Sequence, residues 1–433
     1  MKPLIAIVGR PNVGKSRFFN RLVGQRRAIV SDVPGVTRDR HYAPAEWAGR
    51  EYIAIDTGGL DLEPAADLEH EISKQSMRAI EDADAVICLF DGQKDPTSSD
   101  RDVVNALRAV KKPIIFAVNK VDEPTHEERL REFYELGLKE LFACSAEHGR
   151  GVDDVLDELW RRLPPSEAPS DQPSKGTMVA VVGRPNVGKS TLINRLAGEQ
   201  RVVVHEKPGT TRDSIDVEID FGGSAYTLID TAGVKKRWSV SEPLEKFTAI
   251  RSLRTIDRAS IVLQLIDGAE GMTKQDLHLS EFVREQGKGL IILVNKWDLV
   301  DEGWKDRQTK ISAELGEMGD TPLLPISAAQ GKNCLKIFSF IDRMEEGLGK
   351  KLSTSKLNRI MERALQEHHL PVFRGKEVRI YYSTQVGTHP PTFALFSNYP
   401  AAVPYQYRRY LIRRLQAELG GEGVPVRIVC RRK

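Results

Sequence analysis

The sequence predicts an α/β protein: two tandem copies of one phosphate-loop unit, followed by a small α+β domain. Three observations predict it. The octapeptide Gly9-Arg10-Pro11-Asn12-Val13-Gly14-Lys15-Ser16 recurs unchanged as Gly183-Arg184-Pro185-Asn186-Val187-Gly188-Lys189-Ser190, and both copies fit G-x-x-x-x-G-K-[ST]. Apolar runs alternate with helical patterns, the sign of a largely parallel sheet covered by helices. The whole pattern then restarts at Met178: Thr211 follows Thr37 by 174 residues, Asp230 follows Asp56 by 174, Asn295 follows Asn119 by 176 and Ser327 follows Ser145 by 182. A nearly constant offset with late drift means duplication of a whole domain with small loop insertions.

In chain order, Leu4 to Val8 reads as a strand that feeds the first phosphate loop, and Met178 to Val182 does the same for the second. A helix follows each loop and should end near Gly24 and Gly198. Two strand-like segments joined around Ala48-Gly49-Arg50 come next, the second ending in Ile55-Asp56-Thr57-Gly58-Gly59. Buried strands are expected at Ala85–Phe90, Ile114–Val118 and Leu141–Ala143. Residues 164–177, with four prolines and no apolar periodicity, read as a flexible linker between domains 1–163 and 178–349. From residue 350 to 433 the order changes: helix at Leu352–Leu370, strands at Glu377–Val386 and Thr392–Ser397, helix at Gln406–Leu419, strand at Val426–Cys430. That order belongs to a small α+β domain.

Composition narrows the function classes. At 433 residues the chain exceeds one core, and 40% hydrophobic with 29% charged residues is ordinary for a water-exposed protein. No apolar run approaches the roughly 18–20 residues of a membrane span. The N-terminus passes straight into a short strand without a signal-peptide core. Cys88, Cys144, Cys334 and Cys430 lack paired spacing, which argues against a zinc site or disulfide frame. A cytoplasmic location and a monomer are expected. The net charge of +3 conceals an asymmetry: residues 350–433 carry 16 Lys/Arg against 5 Glu, a net +11, leaving −8 for the rest. A basic tail on an acidic body points to a polyanionic partner.

The repeated unit carries a consistent chemistry. Loop glycines let backbone N–H groups approach a phosphate, and the helix N-terminus adds partial positive charge. Lys15 and Lys189 can reach β- and γ-phosphates, while Ser16 and Ser190 can hold Mg²⁺. Thr37 and Thr211 sit in polar, turn-rich stretches where a hydroxyl could complete the Mg²⁺ shell. Asp56 and Asp230 end strands with a carboxylate suited to the same ion. Asp56-Thr57-Gly58-Gly59-Leu60 and Asp230-Thr231-Ala232-Gly233-Val234 would turn a backbone N–H toward the γ-phosphate, converting its presence into loop order. Alone, each threonine could be a turn residue and each aspartate a helix cap; the repeated spacing favours the phosphate reading. Asn119-Lys120-Val121-Asp122 and Asn295-Lys296-Trp297-Asp298 select the base. A carboxylate accepts hydrogen bonds from guanine N1–H and its 2-amino group, which adenine cannot supply. The Lys120 and Lys296 stems can lie along the base, and Ser145-Ala146 and Ser327-Ala328 would offer N–H groups to its oxygen.

With these motifs in register twice and a basic module behind them, the chain resembles the Der (EngA) family of bacterial ribosome-assembly GTPases, whose units are Ras-like and similar to those of translation factors. The resemblance covers nearly the whole chain. It implies GTP or GDP with Mg²⁺ at two sites, hydrolysis to GDP and phosphate, and a partner in the large ribosomal subunit and its rRNA. It also implies that residues beyond about 350 fold like a KH domain. Such domains clamp RNA with a G-x-x-G loop, and contact by that route is not expected here: the one matching string in 350–433, Gly420-Gly421-Glu422-Gly423, follows the last helical pattern and leads into the last strand. A second departure is Asn333-Cys334, where the first unit has Gly151-Val152.

Leu60 and Val234 stand where many GTPases place a glutamine that orients water, so slow intrinsic turnover is expected. K⁺ held partly by Asn12 and Asn186 would supply charge between the phosphates; alternatively each asparagine only suits a left-handed turn. In the tail, Arg408-Arg409, Arg413-Arg414 and Arg431-Arg432-Lys433 could track phosphates, with tyrosines either stacking on bases or filling a small core. Two rival functions remain open: a nucleotide-sensing clamp with negligible turnover, and a membrane-surface GTPase using the basic tail. No lipidation signal or long apolar helix face supports the second.

Overall fold

The alternating apolar runs become sheets. The computed structural model describes residues 2–30, 42–57, 80–123, 128–164, 176–198, 203–208, 215–229, 248–318, 320–370, 372–373, 375–421 and 423–433. They form two units, 1–171 and 172–433.

In the first unit, β1 (Leu4–Val8), β2 (Tyr42–Trp47), β3 (Arg50–Asp56), β4 (Ala85–Asp91), β5 (Ile114–Asn119) and β6 (Phe142–Ala143) make one sheet in the order β2-β3-β1-β4-β5-β6. Only the β2–β3 hairpin is antiparallel. Its turn, Ala48-Gly49, has φ of 48° and 79°, as a two-residue turn matched to strand twist requires. Every residue of β1 and β4 is buried. Each of these central strands therefore reads as an unbroken apolar run, with helices over both faces. One face packs Ile5, Ile7, Phe18, Leu22, Leu156 and Leu159; the other packs Val8, Phe90, Leu107, Val118 and Phe133.

The second unit repeats this with β7 (Thr177–Gly183), β8 (Val203–Pro208), β9 (Ile215–Phe221), β10 (Ser224–Ile229), β11 (Ile261–Asp267), β12 (Gly289–Asn295) and β13 (Leu323–Pro325), in the order β13-β12-β11-β7-β10-β9-β8. Gly222 and Gly223, at φ of 62° and 87°, close the β9–β10 hairpin. The tail adds β14 (Val372–Phe373), β15 (Lys376–Glu377), β16 (Ile380–Gly387), β17 (Thr392–Ser397) and β18 (Arg427–Arg432), with helices Thr354–Glu367 and Tyr405–Leu419. β17 and β18 run parallel, so helix Tyr405–Leu419 serves as the crossover between them.

The tail shares its core with the second nucleotide unit. One apolar cluster runs from Leu263 and Leu293 through Ile341 and Leu348 to Leu357, Leu395, Leu411 and Leu419. The seam is also polar: Arg427 donates to the Gln286 carbonyl at 3.1 Å, and His389 meets Glu345 at 2.9 Å.

The helix expected to end near Gly24 runs on from Lys15 to Val30. Gly24 costs such a helix only about 1 kcal/mol relative to alanine, and Gln25-Arg26-Arg27 are good helix formers. The strand expected from Glu377 begins at Ile380 instead. Asn398 explains the break: its side chain donates to the Glu377 carbonyl and accepts from Arg379 N–H, replacing ladder bonds there. Of the linker expected at 164–177, residues 165–175 lie outside the described residues, and Thr177 already belongs to β7.

Gly347 lies in helix Lys336–Gly349, and a Cβ there would meet Val424 Cγ2 at 2.6 Å. Gly347→Leu should therefore destabilise the second unit by about 1–3 kcal/mol through overpacking. Calorimetry should show the transition of residues 172–433 moving down while that of residues 1–171 stays. An unmoved transition would mean the seam is not packed as described.

Candidate nucleotide-binding sites

Each phosphate loop is a backbone turn that only certain residues can follow. Gly9, Asn12 and Gly14 have φ of 145°, 68° and 96°; Gly183, Asn186 and Gly188 have 145°, 62° and 99°. Asparagine is among the few side-chain-bearing residues that enter the left-handed region readily, so the turn accounts for part of its presence. A Cβ on Gly9 or Gly183 would collide with the Leu89 or Leu265 carbonyl. A Cβ on Gly14 or Gly188 would collide with Nδ2 of Asn119 or Asn295.

Those two asparagines tie the sites together. Buried at the end of β5, Asn119 donates from Nδ2 to the Val13 carbonyl at 2.8 Å and accepts from Ala146 N–H at 2.9 Å. At the end of β12, Asn295 donates to the Val187 carbonyl at 2.7 Å and accepts from Ala328 N–H at 2.9 Å. One carboxamide thus spans the phosphate loop and the Ser-Ala loop. In the first unit the result is a cleft of about 650 Å³ lined by Asn12, Lys15, Ser16, Thr57, Lys120, Asp122, Ser145 and Ala146, among others.

The lysines are held in place. Lys15 donates to the Gly9 and Arg10 carbonyls at 2.8 and 3.0 Å, and Lys189 to those of Gly183 and Arg184 at 2.8 and 2.6 Å. Burial pulls the Lys189 amine down to about 8, with the Asp276 carboxylate opposing. Lys120 and Lys296 adopt φ of 69° and 57°, and their amines pair with Asp91 and Asp267 at 2.8 and 2.7 Å. Asp122 accepts from the Ser145 hydroxyl at 2.7 Å. Asp298 is exposed beside Trp297, whose ring meets Trp304 edge-on at 5.3 Å.

Asp56 ends β3 alongside β1, paired with Ile7, and the Thr57 hydroxyl donates to the Ile7 carbonyl at 2.8 Å. The strand therefore delivers this carboxylate next to the phosphate loop, where Ser16 lies in the first turn of helix Lys15–Val30. A cradle that excludes side chains, a lysine amine at its mouth, and a hydroxyl and a carboxylate nearby fit a nucleotide phosphate with Mg²⁺. Thr37, Gly58, Gly59, Leu60, Thr211, Asp230, Thr231, Ala232, Gly233 and Val234 lie outside the described residues.

Four supporting pairs escaped the motif reading. Arg21 and Arg195 donate from Nε to the Ala146 and Ala328 carbonyls at 3.0 and 3.3 Å, fastening the Ser-Ala loops from below. Asp91 and Asp267 anchor the lysines. Arg10 and Arg184 reach Asp100 and Asp276 at 3.2 and 2.9 Å, while those aspartates close capping boxes with Thr97 and Thr273. The signal was available: each pair is one residue type repeated at an offset of 174 or 176. The Gly151-to-Asn333 departure also resolves. Both take φ near the left-handed value, 66° and 61°. A Cβ on Gly151 would strike the Ala143 carbonyl, whereas Asn333 Nδ2 donates to the equivalent Pro325 carbonyl at 2.9 Å. A hydrogen bond replaces close contact.

The Lys189 value has a measurable consequence. Near pH 8 a large share of these amines is neutral in the free site, and bound phosphates favour the charged form. Nucleotide binding at the second site should therefore take up protons, increasingly as pH rises from neutral through about 8. Calorimetry in buffers of different ionisation enthalpy measures this, and Lys189→Arg should abolish it because arginine stays charged. Uptake that is absent, or unchanged in the variant, would contradict the assignment.

Comparison with known proteins agrees with this geometry. A family profile described as "50S ribosome-binding GTPase" matches residues 4–120 and again 178–296. One described as "KH-domain-like of EngA bacterial GTPase enzymes, C-terminal" matches residues 351–431. The chain is similar to GTPase Der of Geotalea daltonii, 44% identical over 99% of this chain and 98% of that one. It is likewise similar to GTPase Der of Moorella thermoacetica, 42% identical over 100% and 99%. Among solved structures, a variant of Aquifex aeolicus Era bound to GDP·AlF4⁻ is 20% identical, covering 60% of this chain and 94% of its own, with a TM-score of 0.30.

Proposed function

The chain belongs to the GTPase Der family, and on that premise we propose that it is a GTP-hydrolysing factor for assembly of the large ribosomal subunit. GTP binding and hydrolysis come with the family; the ribosomal step, the switch and the residue roles are the present reading. The observation that carries it is the paired cleft, in which a buried asparagine joins phosphate loop to base loop in both units.

Within each cleft the roles follow from chemistry. Backbone N–H groups of Gly9–Ser16 and Gly183–Ser190 cradle the phosphates, and Lys15 and Lys189 leave their carbonyl partners for the β- and γ-oxygens. Asp122 and Asp298 read guanine through N1–H and the 2-amino group. The expected N–H donation from Ser145-Ala146 and Ser327-Ala328 to its oxygen is corrected: Ala146 and Ala328 give theirs to the Asn119 and Asn295 oxygens, and Ser145 and Ser327 give theirs to the Arg150 and Lys332 carbonyls, so these loops border the base without donating to it. Ser16 and Ser190, with Thr37, Thr211, Asp56 and Asp230, would hold Mg²⁺, which neutralises charge on the phosphates. Gly59 and Gly233 present backbone N–H to the γ-phosphate and so couple its loss to loop rearrangement.

Leu60 and Val234 cannot orient water, so intrinsic turnover is slow; Asn12 and Asn186 would hold K⁺, which would supply positive charge beside the phosphates in place of a charged finger. Asn12 lines the first cleft, which suits that role. The basic module meets rRNA and follows the nucleotide state through the loops after Gly59 and Gly233. The protein acts as a cytoplasmic monomer; among the described residues no helix is long and apolar enough to cross a membrane.

Hydrolysis of GTP should be measured in matched KCl and NaCl, with and without purified large subunits. Turnover should be faster in K⁺, rise further with large subunits, and lose its salt preference when Asn12→Ala and Asn186→Ala are combined. Equal rates in both salts would remove the cation. Absence of both stimulation by large subunits and co-sedimentation with them would remove the ribosomal reading.

A further inference from the structure

The tail's tyrosines separate into two sets. Tyr407 is buried and donates to the His368 carbonyl at 2.6 Å, and Tyr410 packs against it while bonding Glu367. Tyr405 lies under Arg409. Tyr381 and Tyr382, by contrast, are 47% and 42% exposed. The basic residues separate the same way. Arg408 is spent on the Val403 and Pro400 carbonyls, and Arg414 on Glu367, whereas Arg431 and Lys433 are exposed at the end of β18.

The exposed residues share one face of one sheet. Ser383, bonded through N–H and hydroxyl to Asn358, marks the side of β16 that helix Thr354–Glu367 covers. Tyr382 therefore points to the other side. It stands opposite Phe396 on β17, with ring centroids 4.2 Å apart and planes 12° apart. Across Phe396 the next partner is Arg431 on β18. A register shift between Ile380 and Tyr382 leaves Tyr381 without an opposite residue, and such a bulge re-aims side chains. Two consecutive tyrosines thus both reach solvent, and the Lys433 amine sits 4.6 Å over the Tyr381 ring. Val429, 40% exposed, continues the apolar surface along β18. The nearby acid, Glu377, is paired with Arg379 at 2.7 Å.

We propose that this open face, with Tyr381, Tyr382 and Phe396 as platform and Arg431 and Lys433 as rim, binds a single-stranded RNA segment. The proposal rests on the ribosomal reading above for the identity of the polymer. Flat rings backed by a sheet suit unpaired bases, which stack without needing a particular sequence; cationic side chains beside them suit the phosphates that accompany each base. A duplex keeps its bases stacked internally and cannot use the rings. The excess charge of +11 over residues 350–433 matches a polyanion. The open sheet, not the helix side, then provides the grip.

The test uses the full chain and a fluorescein-labelled oligouridylate, read by anisotropy. Tyr382→Ala should weaken binding roughly tenfold or more, the usual cost of losing one stacked base, and Tyr382→Phe should restore it. An abasic strand of equal length and an RNA duplex should bind more weakly than oligouridylate. Arg431→Gln combined with Lys433→Gln should lower affinity and flatten its salt dependence. GDP affinity should stay constant throughout, since no nucleotide motif is touched. Undiminished binding by Tyr382→Ala, or equal binding of the abasic strand, would overturn the platform. If wild type ignores oligouridylate yet still sediments with large subunits, the open face is refuted and the ribosomal reading survives. If it does neither, both fall.

Discussion

The structure of each nucleotide unit depends on one buried carboxamide. Asn119 and Asn295 sit at the ends of their strands, 2% exposed, where water cannot satisfy what they leave unpaired. Each must donate to a phosphate-loop carbonyl and accept from a base-loop amide, and only a side chain with both functions at that length does so. Aspartate could not donate to Val13 or Val187, and serine would not span the gap. Stranding either partner would cost about 1–3 kcal/mol. The constraint spreads outward: Gly14 and Gly188 lack a Cβ because the carboxamide occupies that space. Arg21 and Arg195 then hold the far side of the loop that the carboxamide fastens.

A second constraint links the later nucleotide unit to the tail. Helix Lys274–Glu285 has Asp276 in its first turn, bonded to Arg184 of the phosphate loop. Just beyond its last turn the Gln286 carbonyl receives Arg427 of β18. Asp276 also caps that helix through Thr273. Phosphate loop, helix and tail are therefore consecutive parts of one packed body, which the continuous apolar cluster across residue 350 confirms. Tyr381 and Tyr382 lie outside that packing, exposed on the open sheet.

Much of this was legible in the sequence. Central strands buried on both faces leave unbroken apolar runs, and the motifs fall where those runs end, so fold and cleft could be placed from spacing. Other parts were hidden for physical reasons. Asn119 was read with the base, because a motif shows which residues cooperate and not which atom bonds which. Asp91, Arg21 and Asp100 act through contacts far along the chain, beyond any local pattern; Asp91 and Lys120 are 29 residues apart, and Arg21 and Ala146 are 125 apart. The duplication marks them even so, since each recurs in the second copy. Asn333 looked like a departure until its bond to the Pro325 carbonyl showed how a side chain replaces close backbone approach. The tyrosines could not be sorted by composition, since burial depends on which side of a bulged strand each one leaves.

On this account the buried asparagines, and not a bound nucleotide, join phosphate loop to base loop. Hydrogen exchange of the Ala146 and Ala328 amides in nucleotide-free protein tests it directly. Both amides donate to an asparagine oxygen inside the fold, so both should be protected without ligand. In Asn119→Ala only Ala146 should lose protection, with Ala328 unchanged. Amides that exchange freely in the unmutated protein and become protected only on adding GDP would contradict the account, because the nucleotide and not the asparagine would then be joining the loops.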